Sequence, residues 1–525
     1  MTGPPIEFGA IVKSAFVLLA PGLLLCAGCA SSRESAPVSG PQQPPAAEAV
    51  DTVTVAIDPQ PQDSVVRPME GELPSPAVSE PSEPEMSPLD SLLAEVAGQM
   101  DAAEAVDSSG AGVAPPEDTV PAARSSPGDT AAFKSGYGDV STMGGATSVG
   151  ADLKDDDTRK NPVLDWNLAR QKLDGFYALK RKLNDNLDLA VGVDYNLLNQ
   201  YSTYSTTDTH AMSGIFRIFG TWRLFGMWLK NSGNLIYRIE NRHRISGVLP
   251  RDLGHDGGSS LSTATFKEFG WGVTSLYWKQ MFSGGKHGIA VGKMDPGDFS
   301  DVFLMLTAYK AFMNEGFFNN PSVSLPNQGF GLTGAASITD NIYLSAGLHD
   351  ANGEPDEIGL DSFFDVGEYY TWIEAGWRAP GSNVMEGRSI HVNVWHQDAR
   401  REAETDETWG VTFSVNPRFD HAISWSPFLR VGYSQEDGGQ RVRFIVAAGA
   451  GANVRGSDLV GLATSWSGPP DSSLRNQVTT EAFYRLQLTQ NVQVTPAVQF
   501  TINPSNTLET DALWVVSVLR LRLSL

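Results

Sequence analysis

Arginine and glutamate recur along this chain at alternate positions, set between apolar neighbours. In NLIYRIENR (residues 234–242) Leu235, Tyr237 and Ile239 alternate with Arg238, Glu240 and Arg242. Glu268, Glu374, Arg430, Arg441, Arg443, Arg485, Arg520 and Arg522 hold equivalent places in later stretches. Guanidinium and carboxylate groups placed this way suit binding. They exchange hydrogen bonds with the hydroxyls of a passing solute while replacing its water, each contact weak enough for release. The same charges could instead pair with one another and merely keep an interior wet. Tyr343 and Trp395 fall on the same face, where an aromatic ring could stack on a solute or pack under a loop.

Such a face needs elements that present every second residue to it, which is the periodicity of a β-strand. The stretch YRLQLTQNVQVTPAVQFTI (484–502) keeps apolar and polar side chains in alternation through two runs joined by a short turn. Strands of a soluble sandwich are usually about five or six residues long. Runs of about ten fit tilted strands crossing a bilayer core about 30 Å thick, apolar side chains toward lipid and polar ones toward a lumen. About sixteen such strands begin near residues 187, 211, 233, 266, 286, 329, 341, 368, 388, 407, 424, 441, 458, 477, 492 and 513. The expected fold is therefore all-β, a transmembrane antiparallel barrel of about sixteen strands, an even number that suits closure.

The connections alternate in length. SGGK near 283, TDN at 339–341 and TQN at 489–491 are short, and the intervening loops are longer, except for a long connection near 222–233 on the short side. The longest loop, about 294–328, is too apolar to be a solvated flap. It is expected to fold into the lumen and narrow it, with Asp298, Asp301, Lys310, Asn314 and Glu315 as the candidate residues of the constriction.

The first third of the chain has another character. Residues 1–29 hold Lys13, an apolar run too short to span a membrane, and the ending Ala27-Gly28-Cys29. This ending resembles a bacterial lipoprotein cleavage box, with Cys29 the lipidation site and Cys26 where leucine is usual. Simple cleavage without a lipid is the alternative. Residues 30–157, rich in Pro, Ala, Ser, Glu and Asp, read as a disordered acidic tail that cannot bury enough apolar surface to offset chain entropy. That tail carries 23 acidic and 5 basic residues, so most of the net charge of −23 belongs to it and not to the barrel domain, 158–525. A basic nucleic-acid surface is excluded by this balance, and the two cysteines, Cys26 and Cys29, leave the body without a disulfide.

Several stretches together resemble the carbohydrate-selective porins, the OprB-type outer-membrane porins. They are GIAVGKMDPGDFSDVF, FMNEGFFNNPSVSLPNQGFGL, DNIYLSAGLHDANG, FLRVGYS, DLVGLATSW and EAFYRLQLTQNVQVTPAVQFTINP, which cover most of residues 160–525. The resemblance implies a sixteen-stranded barrel in the bacterial outer membrane, surrounded by its lipids. Small sugars would pass down their gradient, with the third external loop as the constriction and the tail in the periplasm. It also implies assembly as a homotrimer. The acidic, lipoprotein-like start and the terminal Leu525, where an aromatic residue is more usual, depart from the pattern. A general or ion-selective porin, or a lipid-tethered structural or adhesion barrel, would share the same scaffold.

Catalytic and metal chemistry find little support. Asp295, Asp298 and Asp301, and Asp350, Asn352, Glu354 and Asp356, offer oxygen ligands without EF-hand spacing. His391 and His396 lie five apart and so on opposite faces of a strand. The glycines Gly449 and Gly451 precede no helix and make no phosphate loop. No cofactor, metal or enzymatic activity is expected.

Overall fold

The computed structural model describes residues 143–525 apart from 166, 227–230, 264, 380–388, 421–422, 436–437 and 506–512, and for 167–172 only the backbone. Cys29, the signal-like start and residues 30–142 lie outside the described residues.

The alternating stretches form one sheet. Its long strands are β1 (Leu189–Ser202), β2 (His210–Phe225), β3 (Gly233–Gly247), β4 (Gly270–Phe282), β5 (His287–Met294), β6 (Gly329–Ser337), β7 (Ile342–Asp350) and β8 (Tyr369–Arg378). They continue as β9 (Ser389–Gln397), β10 (Thr408–Asn416), β11 (Ser424–Ser434), β12 (Phe444–Val454), β13 (Asp458–Gly468), β14 (Gln477–Gln487), β15 (Val492–Ile502) and β16 (Trp514–Ser524). A two-residue strand, Phe419–Asp420, flanks β11. Each long strand starts within four residues of its expected position. All neighbours pair antiparallel, and β1 pairs with both β2 and β16, with Asn196 opposite Ile215 on one side and Arg522 on the other. The sheet is thus a closed sixteen-strand barrel without a free edge.

Burial follows the alternation. On β13, Val460, Leu462 and Trp466 are exposed while Ala463, Ser465 and Ser467 are buried; on β16, Leu519 and Leu523 are exposed while Arg520 and Arg522 are buried. Apolar side chains outside and polar ones inside is the distribution of a barrel wrapped in lipid. Connections 283–286, 338–341, 455–457 and 488–491 are short and share one end, and 226–232 is longer than its neighbours there. The other end carries 248–269, 295–328 and 351–368.

Two features lie inside or across the barrel. Loop 295–328 packs against inward-facing wall residues, its Phe303, Phe312 and Phe317 clustering with Phe428 of β11 and Phe483 of β14. The second is the segment before the barrel. Residues 149–157, read from composition as the end of the tail, form a helix, α1 (Val149–Asp157), whose Val149, Leu153, Asp152 and Asp156 are buried against β1, β2 and β3. The tail reading therefore extends too far at its C-terminal end: in the acidic run Asp155-Asp156-Asp157, which looks solvated in isolation, Asp155 meets Lys310 of loop 295–328 and Lys160, Asp156 meets Arg522 of the wall, and Asp157 meets Lys180 of the helix that follows. Gly192 makes the approach feasible, since a Cβ there would lie 2.5 Å from the Phe219 ring and 3.1 Å from Leu153 Cδ2. After α1 the chain crosses the short-turn mouth. Asn161 N donates to Ser457 Oγ at 2.6 Å and Val163 N to Gln487 O at 2.9 Å, and a helix α2 (Asn167–Leu187) then leads into β1.

Candidate functional site

The interior charges are spread over strands around the barrel, each projecting one inward residue in two, so their positions are fixed by the wall. Arg238, Glu240 and Arg242 stand in line on β3. Glu240 Oε2 accepts from Arg242 Nε at 2.8 Å and Nη2 at 2.6 Å. Arg242 also donates to Thr265 O at 2.7 Å, and Arg238 donates to Thr147 O and lies 3.7 Å from Asp298.

Across the lumen the charges hold the long loop. Glu481 on β14 accepts from the backbone N–H groups of Met313 and Asn314, both at 2.7 Å. Arg520 on β16 donates to the carbonyls of Ala308 and Ala311, the latter at 3.0 Å, and Arg485 to that of Lys310 at 3.0 Å. Arg430 on β11 pairs with the Asp301 carboxylate, which also meets His391 Nε2 at 2.9 Å. Glu374 on β8 accepts from Asp301 N at 2.7 Å and Tyr343 Oη at 2.8 Å. Asp301 takes a left-handed backbone (φ 51°), uncommon outside glycine, and these contacts hold it there. Burial pushes its carboxyl up, but Arg430 and His391 outweigh that and draw it down. Asn314 caps the turn through Gly316 N at 3.0 Å, and Glu315 pairs with Arg441 at 2.7 Å.

Near the short-turn end the wall meets α1. Asp194 on β1 joins Arg217 of β2 and Arg522 of β16, with 2.8 Å from Arg217 Nε and 2.7 Å from Arg522 Nη2. Arg217 reaches on to Asp152 at 3.0 Å, and Arg522 grips both oxygens of Asp156 at 2.7 Å each. Lys310, at the tip of the long loop, pairs with Asp152 at 2.8 Å and Asp155 at 3.0 Å. Burial opposes charge on Lys310 and Asp152 alike, yet Asp152 and Asp155 raise the ammonium above its ordinary value, and Lys310 and Arg217 hold the Asp152 carboxyl below its own. Burial pushes the Asp298 carboxyl up to about 6 against the pull of Arg238.

The expected site residues thus sort by partner. Arg430, Glu374, Arg485 and Arg520 bind the long loop; Arg238, Glu240 and Arg242 form a separate group beside Thr147 and Tyr309. Glu268, Arg441 and Arg443 precede their strands, and Arg443 is exposed outside the ladder of inward charges. Tyr343 and Trp395 are buried on the inward face. Sequence reasoning missed Arg217, Asp194 and Glu481, although each occupies an inward position of its strand, and missed Asp152 and Asp156 because their stretch was assigned to the tail. Among the described residues no group of His, Asp and Glu is arranged to hold a metal ion.

A closed barrel with an apolar outer belt, charges inside and a long loop folded against them is the architecture of outer-membrane channel proteins. Residues 199–525 match the family described as carbohydrate-selective porin, OprB family, and the chain belongs to that family. The high-pH structure of Pseudomonas putida OprB is similar over 67% of this chain and 97% of its own, at 14% identity and a TM-score of 0.53. A variant of the Rh. blastica porin aligns over 64% of this chain and all of its own, at 12% identity and a TM-score of 0.38. No curated protein matches the sequence.

Proposed function

We propose that the barrel lets small sugars diffuse across the bacterial outer membrane, with loop 295–328 as the constriction and the short-turn end, hence the tail, facing the periplasm. Family membership supports the solute class. The observation that carries the reading within the molecule is the Glu240–Arg242 pair, a fork of acceptors and donors at 2.6–2.8 Å beside Tyr309 of the constricting loop. A sugar hydroxyl can both donate to the carboxylate and accept from the guanidinium while shedding water. Proteoliposome swelling with glucose and sucrose tests this. Glu240→Gln and Arg242→Gln should lower the glucose rate several-fold while salt conductance changes little; equal glucose rates in all three proteins would sink the assignment.

A second reading, a filled barrel that serves structure or adhesion, is favoured by the complete burial of Arg520 and Glu481 under the loop and by the burial of Glu240 and Arg242 themselves. The same assay separates the two, because a closed barrel swells with no sugar. Acylation of Cys29 and assembly as a homotrimer belong to the proposal and are read from the mass of the mature N-terminus and from the detergent-solubilised particle.

A further inference from the structure

Segment 143–157 sits in the lumen as a ligand sits in a site. Asp152, Asp155 and Asp156, spaced i, i+3 and i+4, share one helical face, and that face is turned to Arg217, Lys310 and Arg522. The Arg522–Asp156 contact is bidentate, two parallel N–H···O bonds of 2.7 Å, the geometry in which guanidinium recognises a carboxylate. Without α1, these three cations would face open lumen with Asp194 as the carboxylate bonded between the two arginines. Asp194 cannot balance them. A passage that met only neutral solutes would gain nothing from that excess, whereas a cluster of cations facing water concentrates anions.

The path of the segment also allows exchange. Met143 lies by Met281 and Gly288, next to the short turn 283–286, and residues 158–164 leave past the short turns 455–457 and 488–491. Both ends therefore open on one mouth, and α1 can leave without threading through the barrel.

We propose that Arg217, Lys310 and Arg522 form an anion-binding site of the channel for sugars that carry a carboxylate, and that α1 is its tethered, displaceable occupant. The inference rests on the sugar-channel reading. A tethered occupant competes at an effective concentration on the order of millimolar, so an acidic sugar must reach at least that scale to enter.

The test compares the full chain, the triple variant Asp152→Asn, Asp155→Asn, Asp156→Asn, and a chain lacking residues 143–157, in planar bilayers and proteoliposomes with sodium glucuronate and glucose as probes. The variant and the deletion should raise glucuronate entry relative to glucose about tenfold or more, the scale on which a charged cleft concentrates counter-ions, and should shift the reversal potential toward anions. A synthetic peptide of residues 143–157 added to the deletion protein should restore the block from one side of the bilayer only. Adding Arg522→Gln to the triple variant should remove the glucuronate preference. If all three proteins pass glucose with the same selectivity, the occupant is no gate and this inference falls while the channel reading stands. If none passes glucose, both fall. If variant and deletion both fail to assemble, α1 is a fixed part of the barrel and the inference is overturned.

Discussion

Two pieces of chain occupy this lumen, and they are held differently. Loop 295–328 is seated by Phe303, Phe312 and Phe317 against Phe428 and Phe483, and by wall charges that grip its backbone, Glu481 on two N–H groups and Arg520 on two carbonyls. Segment 143–157 is seated chiefly by the carboxylates of Asp152, Asp155 and Asp156, with Val149 and Leu153 buried beneath them and two of its carbonyls, those of Met143 and Thr147, taken by the wall cations Lys279 and Arg238. Backbone gripped inside an aromatic cluster has no competitor in solution, because no solute offers the same shape. A carboxylate held by arginine has many. On the proposed reading the loop, gripped along its backbone as well as by the Arg430–Asp301 pair, is the lasting narrowing, and the segment, held mostly through carboxylates, is the exchangeable one.

The sharpest way to break this contrast is at Phe312, whose ring lies 4.9 Å from that of Phe483 and 5.5 Å from that of Phe317. Phe312→Ala removes a buried aromatic from the cluster and should cost about 3–5 kcal/mol. In detergent this reads as a lower unfolding midpoint, and in bilayers as a larger and noisier conductance. A variant with unchanged midpoint and conductance would show that the aromatic cluster does not seat the loop.

Asp298 marks a second place, besides Lys310, where the two occupants touch: its carbonyl accepts from Gly145 N at 2.7 Å and its carboxylate from the Thr147 hydroxyl. The folded carboxyl titrates at about 6, above the ordinary 3.8. The buried charge therefore costs stability above pH 6, and the cost fades as pH falls from 6 toward 3.8. A shift of about two units corresponds to about 3 kcal/mol. Asp298→Asn should be more stable than the parent by up to that amount at pH 8, and the difference should vanish near pH 4. A difference independent of pH would mean that the carboxyl titrates normally and that the contact between loop and segment is wetter than it looks.

The wall was legible because alternation is a local signal. Val460, Leu462 and Trp466 announce their face within seven residues, and lipid needs nothing more specific than apolar surface. The contents were legible only in part. The apolar loop announced its own burial, but its anchors did not: Asp301 and Arg430 are 129 residues apart, and Asp156 and Arg522 are 366 apart. Alternation gives the direction of a side chain, not the partner it meets across a lumen. The acidic run 155–157 shares its composition with the tail and differs only in what it faces, which no local pattern encodes. Hence Arg520 and Arg485 read as pore lining when they are clasps on the loop backbone.

The smallest effect separates the occupants most cleanly. Leu153 is fully buried against Gly192 and Phe219, and in a rigid core Leu153→Ala would cost about 2–5 kcal/mol. An exchangeable segment leaves the lumen before the barrel unfolds, so the lost contact weakens only its own local equilibrium. The global midpoint should then move by less than about 0.5 kcal/mol, the range of changes that touch no cooperative core. The readout is hydrogen exchange: amides of 149–157 should lose protection while those of β1 and β2 keep theirs. A midpoint that falls as far as that of Phe312→Ala would mean that α1 unfolds with the barrel, and the two occupants would then be one.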